Sequence, residues 1–257
     1  MEKKNVLESY QEISNCFDNT RAYIWPSVKE FLDYIPPRSK ILDAGCGNGK
    51  NMILNEDLLK EKQLIFNAFD ISDNLLSIAE QKVNDYYKKV RYNNETKFYK
   101  ANIINIPEEN GSFDFVISIA VIHHLDTFDK RIKAILECLR VLKNGGKFMF
   151  QIWSFEQDNT KLKFERGDNM VPWKIRKKDI DKDAKGEEKN DIIRTVNRYY
   201  YISDYQDICL LVNKCLSYNT SKLVKMYNEM GNWIIILEKK EEEKEKEKEE
   251  EEEEKEE

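Results

Sequence analysis

Apolar residues follow two alternating rhythms along this chain. Residues 40–46 form a short apolar run that enters a glycine-rich turn, and residues 64–69 form a second run that stops at Asp70. Leu75, Leu76, Ile78, Ala79 and Val83 recur at helical spacing across residues 74–90, with Ser72 or Asp73 available as the N-cap. Residues 113–122 are the most apolar stretch, and their lack of polar alternation predicts a strand covered on both faces. Ile132, Ile135, Leu136, Leu139 and Leu142 mark an amphipathic helix, with Gly145 and Gly146 as its stop, and residues 147–153 follow as another strand. Strands alternating with helices at this interval predict βαβ units, a parallel sheet and an α/β fold. Residues 158–193 break the rhythm and are read as a charged insertion. A strand over 198–202, a helix over 204–216 and a strand over 232–237 then complete the sheet, and no internal repeat is present.

Charge alters this picture in one place. The formal net charge is -6, but residues 238–257 consist only of 14 Glu and 6 Lys and carry -8, so the rest carries +2. Residues 1–237 are therefore read as a single, mildly basic domain and 238–257 as a low-complexity tail that cannot bury a core. The longest apolar runs, near 116–122 and 233–237, fall well short of the roughly 20 residues a membrane helix needs. Cys16, Cys46, Cys138, Cys209 and Cys215 are odd in number and scattered, without a Cys-x-x-Cys pair. That argues against a disulfide framework or a structural zinc site and points to a reducing compartment, the cytoplasm or the nucleus. The only two histidines are the adjacent His123 and His124, so histidine chemistry is confined to one point.

The turn after the first strand reads Gly45-x-Gly47-x-Gly49, with Asp43 just before it. Glycines serve where backbone must approach a ligand or adopt positive φ, and a strand-to-helix turn aims amide donors at a bound group. The spacing differs from Gly-x-Gly-x-x-Gly, which together with Asp43 weakens a dinucleotide reading and favours a ligand with a cationic or zwitterionic end. Asp70, ending the second strand, is where a carboxylate can accept both hydroxyls of a ribose.

Asp43, Ala44, Gly45, Cys46, Gly47, Asn48, Gly49 and Lys50, then Phe69 and Asp70, resemble the S-adenosylmethionine site of class I methyltransferases. The resemblance implies a Rossmann-like seven-stranded sheet, mostly parallel with an antiparallel final strand. It implies cofactor contacts from Asp43, Gly45, Cys46, Gly47, Asn48, Gly49, Asp70, Ile71, Asn102, Ile103 and Ser118. Asn102 stands where relatives carry an acidic residue, and an amide can still hydrogen-bond adenine. Longer stretches are similar to the eukaryotic tRNA wobble-uridine carboxymethyl methyltransferases: residues 19–26, 43–50, 113–124, 153–157, 171–173, 198–201 and Asn232-Trp233. That similarity implies esterification of the carboxylate of 5-carboxymethyluridine in tRNA and a small zinc-containing activator subunit as partner, with no metal held by this chain. A class I methyltransferase acting on a small molecule, or a non-catalytic scaffold, would share the same cofactor residues.

A carboxylate is ionised at neutral pH and needs no general base, only orientation and a cation to hold it. Arg21 is the first candidate for that cation, since a guanidinium grips a carboxylate with two hydrogen bonds. By the resemblance, His124 is the better candidate for touching the target nucleotide, beside His123, and Trp25 and Trp153 could stack a base. In the insertion, Lys161, Lys163, Arg166, Lys174, Arg176, Lys177 and Lys178 outnumber Glu165 and Asp168 around Trp173. Such a cluster is the candidate RNA contact.

Overall fold

The computed structural model describes residues 6–18, 23–93, 96–157, 164–180 and 187–241. In chain order the elements are α1 (Val6–Phe17), α2 (Pro26–Tyr34), β1 (Lys40–Ala44), α3 (Glu56–Lys62), β2 (Ile65–Asp70), α4 (Asp73–Lys89), β3 (Lys97–Lys100), β4 (Phe113–Ile119), α5 (Phe128–Arg140), β5 (Leu142–Trp153), β6 (Gly167–Arg176), the single turn α6 (Lys177–Ile180), β7 (Ile192–Ile202), α7 (Tyr205–Leu216), β8 (Ser221–Glu229) and β9 (Asn232–Lys239). Seven strands form one sheet in the order β3-β2-β1-β4-β5-β9-β8, with β9 antiparallel to both neighbours and the other pairs parallel. This is the mostly parallel α/β sheet with an antiparallel strand that the pattern and the resemblance predicted. Among the described residues no helix is long and apolar enough to cross a membrane.

The apolar runs lack alternation because both faces of the sheet are covered. Leu42, Ala44, Val116, Phe148 and Phe150 pack with α5 and α7, while Ile41, Phe66, Phe115, Ile117 and Met149 pack with α2 and α4. Ser72, one of the two proposed caps, accepts from the Leu75 N–H and starts α4. Strand order reverses beside β1, between β2 and β4, which opens a crevice at the carboxyl ends of these strands.

Four expectations about the chain change. Gly145 and Gly146 do not stop α5, which already ends at Arg140. They lie inside β5, where the register jumps from Phe113 opposite Leu142 to Phe115 opposite Lys147, and Gly145 supplies a φ of +72° for the bulge. Residues 198–202 are not in the main sheet. They belong to β7, which pairs antiparallel with β6 in a separate hairpin, Val171 facing Arg198, and most of the presumed irregular insertion is that hairpin. The missing seventh strand is β8, an edge strand whose middle is exposed and carries Lys222 and Lys225, so it shows no apolar run. Finally, β9 runs to Lys239, whose Nζ donates to the Arg140 and Leu142 carbonyls. The first residues of the Glu/Lys segment are therefore built into the sheet, and 242–257 lie outside the described residues.

Candidate active site

The glycine turn leaves β1 and is tied to β2: the Gly45 and Cys46 N–H groups both donate to the Phe69 carbonyl at 2.9 Å. Each glycine has its own reason. At Gly45 (φ +85°) a Cβ would lie 2.4 Å from a Val121 methyl, and at Gly49 (φ +74°) it would press on Val83 and Ala79 of α4 at 3.0 and 3.1 Å. At Gly47 (φ +56°) it would meet only Phe17 at 3.7 Å and would project into an open cleft. That cleft is lined by the turn, by Phe69, Asp70 and Ile71 after β2, by Asn102 and Ile103 after β3, by Ala120, Val121 and His124 after β4, by Trp153 at the end of β5, by Trp25, by Tyr200 of β7, and by Tyr10 and Phe17 of α1. Ala120 holds a φ of +62°, a strained setting for a residue with a side chain, at the rim of this cleft.

Asp70 is anchored through both oxygens, accepting from the Gly47 N–H at 3.0 Å and the Ser72 N–H at 2.9 Å. Burial raises its pKa, and the backbone N–H groups of Ser72 and Gly47 offset part of that. Each oxygen keeps a second lone pair, so the carboxylate can still accept from a diol. Asp43, by contrast, is fully buried beneath the turn and does not line the cleft. Its Oδ2 accepts from Asn51 Nδ2 at 3.1 Å, its Oδ1 has no partner, and burial pushes its carboxyl up to about 7. Ser118 and Gly49 are also absent from the lining. Ser118 donates to the Ala44 carbonyl at 3.0 Å and ties β4 to β1, and Gly49 lets α4 approach. Cys46, Asn48, Ile71, Asn102 and Ile103 do line the cleft. Asn48 is held there by donating to Asp18 at 2.7 Å, and Asp18 also receives Lys82.

The two histidines divide. His123 is buried outside the cleft lining, its Nδ1 accepting from the Trp153 N–H at 3.0 Å. His124 lines the cleft, but both ring nitrogens are engaged, Nδ1 with the Tyr199 carbonyl at 2.7 Å and Nε2 with the Tyr10 hydroxyl at 2.9 Å. A carbonyl can only accept, so Nδ1 carries the proton and Nε2 accepts from Tyr10. Burial lowers its pKa to about 4, the Tyr199 carbonyl works against that, and the Arg198 charge adds to it. The candidate catalytic histidine is thus a neutral fixture of the wall. Trp153 lines the cleft stacked on Tyr200, centroids 4.4 Å apart, and Trp25 lines it with Lys50 above its ring.

The basic cluster disperses. Arg166 chelates Asp207 at 2.8 and 2.7 Å and reaches Asp204 at 3.1 Å, bolting the hairpin to the start of α7. Lys177 pairs with Glu188, and Trp173 packs against Phe17 beneath the Arg198 guanidinium. Lys174, Arg176 and Lys178 are exposed and do not line the cleft. Arg21, Lys161 and Lys163 lie outside the described residues. Sequence reading missed Tyr10 and Phe17, and gave Lys50 and Tyr200 no site role of their own within the stretches of resemblance. The spacing of Val6, Tyr10, Ile13 and Phe17 is an amphipathic helical signal that would have found the first two. Tyr200 was read as part of a strand and of the similar stretch 198–201.

The described residues fit S-adenosylmethionine: a turn kept open at Gly47, a buried carboxylate with spare lone pairs, and apolar walls at Ile71, Leu75 and Ile103. Comparison with known proteins agrees. The family model described as Methyltransferase domain matches residues 42–150. A tRNA (carboxymethyluridine(34)-5-O)-methyltransferase of Schizosaccharomyces pombe is 29% identical over 245 residues, 93% of this chain and 97% of that protein. One of Xenopus tropicalis is 26% identical over 280 residues, 93% of this chain, and the chain spans only 41% of that relative's length. It spans 36% of an Arabidopsis thaliana relative of the same name, 39% identical over 162 residues. Among solved structures, the CcbJ methyltransferase of Streptomyces caelestis superposes with a TM-score of 0.64 at 13% identity, covering 92% of this chain and 100% of that one, which shows the fold.

Proposed function

From the premise that the chain belongs to the tRNA carboxymethyluridine methyltransferase family of S-adenosylmethionine-dependent enzymes, we propose that it methylates the carboxylate of 5-carboxymethyluridine at the tRNA wobble position. The single observation that carries this is the state of His124: neutral, with both ring nitrogens spent. The other acids and bases of the lining are no better placed to take a proton. Asp70 is pinned by two backbone N–H groups, and burial pushes the Cys46 thiol well above its ordinary range. Such a site suits a nucleophile that arrives already ionised, as a carboxylate does at pH 7.

When bound, S-adenosylmethionine supplies an electrophilic methyl group on a sulfonium centre. Asp70 would accept from the ribose hydroxyls, Gly45, Cys46 and Gly47 would follow the methionine part, and Asn102 and Ile103 would flank adenine. Trp153 and Trp25 form aromatic walls against which the wobble base can stack. Arg21 remains a candidate cation for the substrate carboxylate. Exposed Lys174, Arg176 and Lys178 provide phosphate contacts for tRNA. By family resemblance the partner is a small zinc-containing activator subunit, and the scattered cysteines without a Cys-x-x-Cys pair favour the cytoplasm or the nucleus as the site of action.

The test is methyl transfer from labelled S-adenosylmethionine to tRNA from cells lacking the modification, with and without the activator subunit, followed by mild alkali. Label released as methanol marks an ester and supports the proposal. Alkali-stable label indicates another position on the RNA, and no incorporation even with the activator points to a small-molecule substrate or a scaffold.

A further inference from the structure

A second cavity, of about 580 Å³, opens at the opposite end of the sheet from the cleft. Strand β2 joins the two: Ile65 at its start lines this cavity and Asp70 at its end lines the cleft, roughly 17 Å apart along the strand. Arg38, Lys60, Gln63, Arg91, Tyr92 and Asn93 complete the lining, and among the described residues no carboxylate joins them. Tyr92 is half-buried and donates its hydroxyl to the Leu64 carbonyl at 3.0 Å, while the other five are exposed. Lys60 pairs with Glu56. Among the described residues the Arg38 and Arg91 guanidinium groups take part in no hydrogen bond or ion pair.

These long polar side chains sit on strained backbone. Of the six non-glycine residues with positive φ among the described ones, three line this one cavity: Arg38 at +63°, Gln63 at +50° and Arg91 at +53°. Glycine or asparagine would take such turns with less strain, so the side chains answer another demand. Helix capping is not that demand. Both α3 and α4 end here, and backbone already satisfies their last carbonyls: Leu59 accepts from the Gln63 N–H, Lys62 from the Arg38 N–H at 2.7 Å, Tyr87 from the Tyr92 N–H and Lys88 from the Arg91 N–H. Core packing is not the demand either, since both arginines are exposed.

The geometry points to this cavity as a seat for the phosphodiester backbone of the RNA, remote from the nucleotide that is modified. This rests on the proposal that the substrate is tRNA. Two guanidinium groups, an ammonium group and two side-chain amides form a donor set that matches the oxygens of a phosphate. The exposed rim lets a polymer strand pass through, and Lys88 and Lys89, exposed on the last turn of α4, extend the positive surface beyond it. An RNA that fills both sites spans the length of β2. Contacts in this cavity therefore add affinity and set the register of the RNA, while the choice of nucleotide is left to the cleft.

The test is equilibrium binding, without turnover, of tRNA from cells lacking the modification, over a range of salt, with S-adenosylhomocysteine present and with and without the activator subunit. Arg38→Gln and Arg91→Gln are each expected to weaken binding by about tenfold at about 50 mM salt and to make the slope of log affinity against log salt shallower by about 1, and the double variant by about 2. S-adenosylhomocysteine affinity is expected to stay unchanged in all three, and the single variants carry the test if the double variant loses it. Lys214→Gln, which removes an exposed charge on α7, is the control. An equal loss there marks a general effect of net charge and overturns the assignment. Unchanged tRNA binding by the double variant overturns it too; if inorganic phosphate then raises the melting temperature of the unaltered chain and not of the double variant, the cavity takes a free anion instead of RNA. Should alkali-labile label still form in that case, the proposed reaction stands while this assignment falls. If the unaltered chain binds no tRNA in either setting, both fall.

Discussion

The two halves of the cleft are built by different means. The half around Gly45, Gly47 and Asp70 is held by backbone: amides of the turn bond the Phe69 carbonyl, and amides of Gly47 and Ser72 bond Asp70. The half around His124 and Tyr200 is held by side chains brought from α1, the turn after β4 and the β6–β7 hairpin. A backbone-built site depends on a few positions where only one residue type fits. A side-chain-built site depends on polar groups that satisfy one another, so its parts can be exchanged without altering the fold.

Substitutions separate the halves. The largest effect is expected from Gly45→Ala, which combines a positive φ with a 2.4 Å overlap on Val121. It should cost about 3 kcal/mol of stability and carry cofactor binding with it, measured as a shift in denaturant midpoint at unchanged slope. Asp70→Ala should leave the fold standing and weaken S-adenosylmethionine by about 100-fold in calorimetry, the cost of two lost bonds to a carboxylate. An intact affinity there would remove Asp70 from the cofactor site.

Protonation sharpens the contrast, because the halves titrate with opposite sign. His124 stays neutral in the folded chain down to about 4, whereas the unfolded chain protonates it near 6.5. Its contribution is present above 6.5 and is lost as pH falls through that window. Asp43 keeps its proton up to about 7 when folded and releases it near 3.8 when unfolded. Its contribution is present below 3.8 and is lost as pH rises towards 7. The two slopes oppose each other between about 4 and 6.5. Relative to the unaltered chain, Asp43→Asn should make stability rise more steeply with pH there, and His124→Asn should make it fall, by up to about 1.4 kcal/mol per unit. Parallel curves for all three chains would refute both assignments. The smallest effect is expected from Arg166→Ala, since the Arg166 pair with Asp204 and Asp207 is exposed on the arginine side. Any loss of stability should vanish in high salt.

The same division explains what the sequence could reveal. Gly45, Gly47, Gly49 and Asp70 declare themselves because each answers a local backbone demand within one βαβ unit. The resemblance implied Asp43 and Ser118 as ligands, yet Asp43 is buried against Asn51 and Ser118 is spent on the Ala44 carbonyl, ties between elements that no local pattern reports. Tyr10 and Tyr200 meet across 190 residues, and no local pattern reports such a meeting. Arg166 illustrates the converse: it looked like an RNA contact in a basic run, but Asp204 and Asp207 absorb it. The hairpin was hidden because its strands alternate as an exposed pair should, Val171 and Ile175 inward and charged residues outward, amid a dense run of charge.

The docking of α1 on β7 has a consequence for how the molecule comes to life during synthesis. Ser9 donates to the Asn197 carbonyl, 188 residues away, and Glu12 pairs with Arg194. The helix is therefore made long before the strand it rests on, and it must wait, with Ile13 and Phe17 uncovered, while the sheet between them is translated. Contacts of such long range are slow to form and reward the chain only at the end. The cofactor crevice can close early from consecutive βαβ units, so a maturing chain gains its donor pocket first and its substrate wall last. A protease present during refolding should accordingly cut α1 until the final kinetic phase is complete.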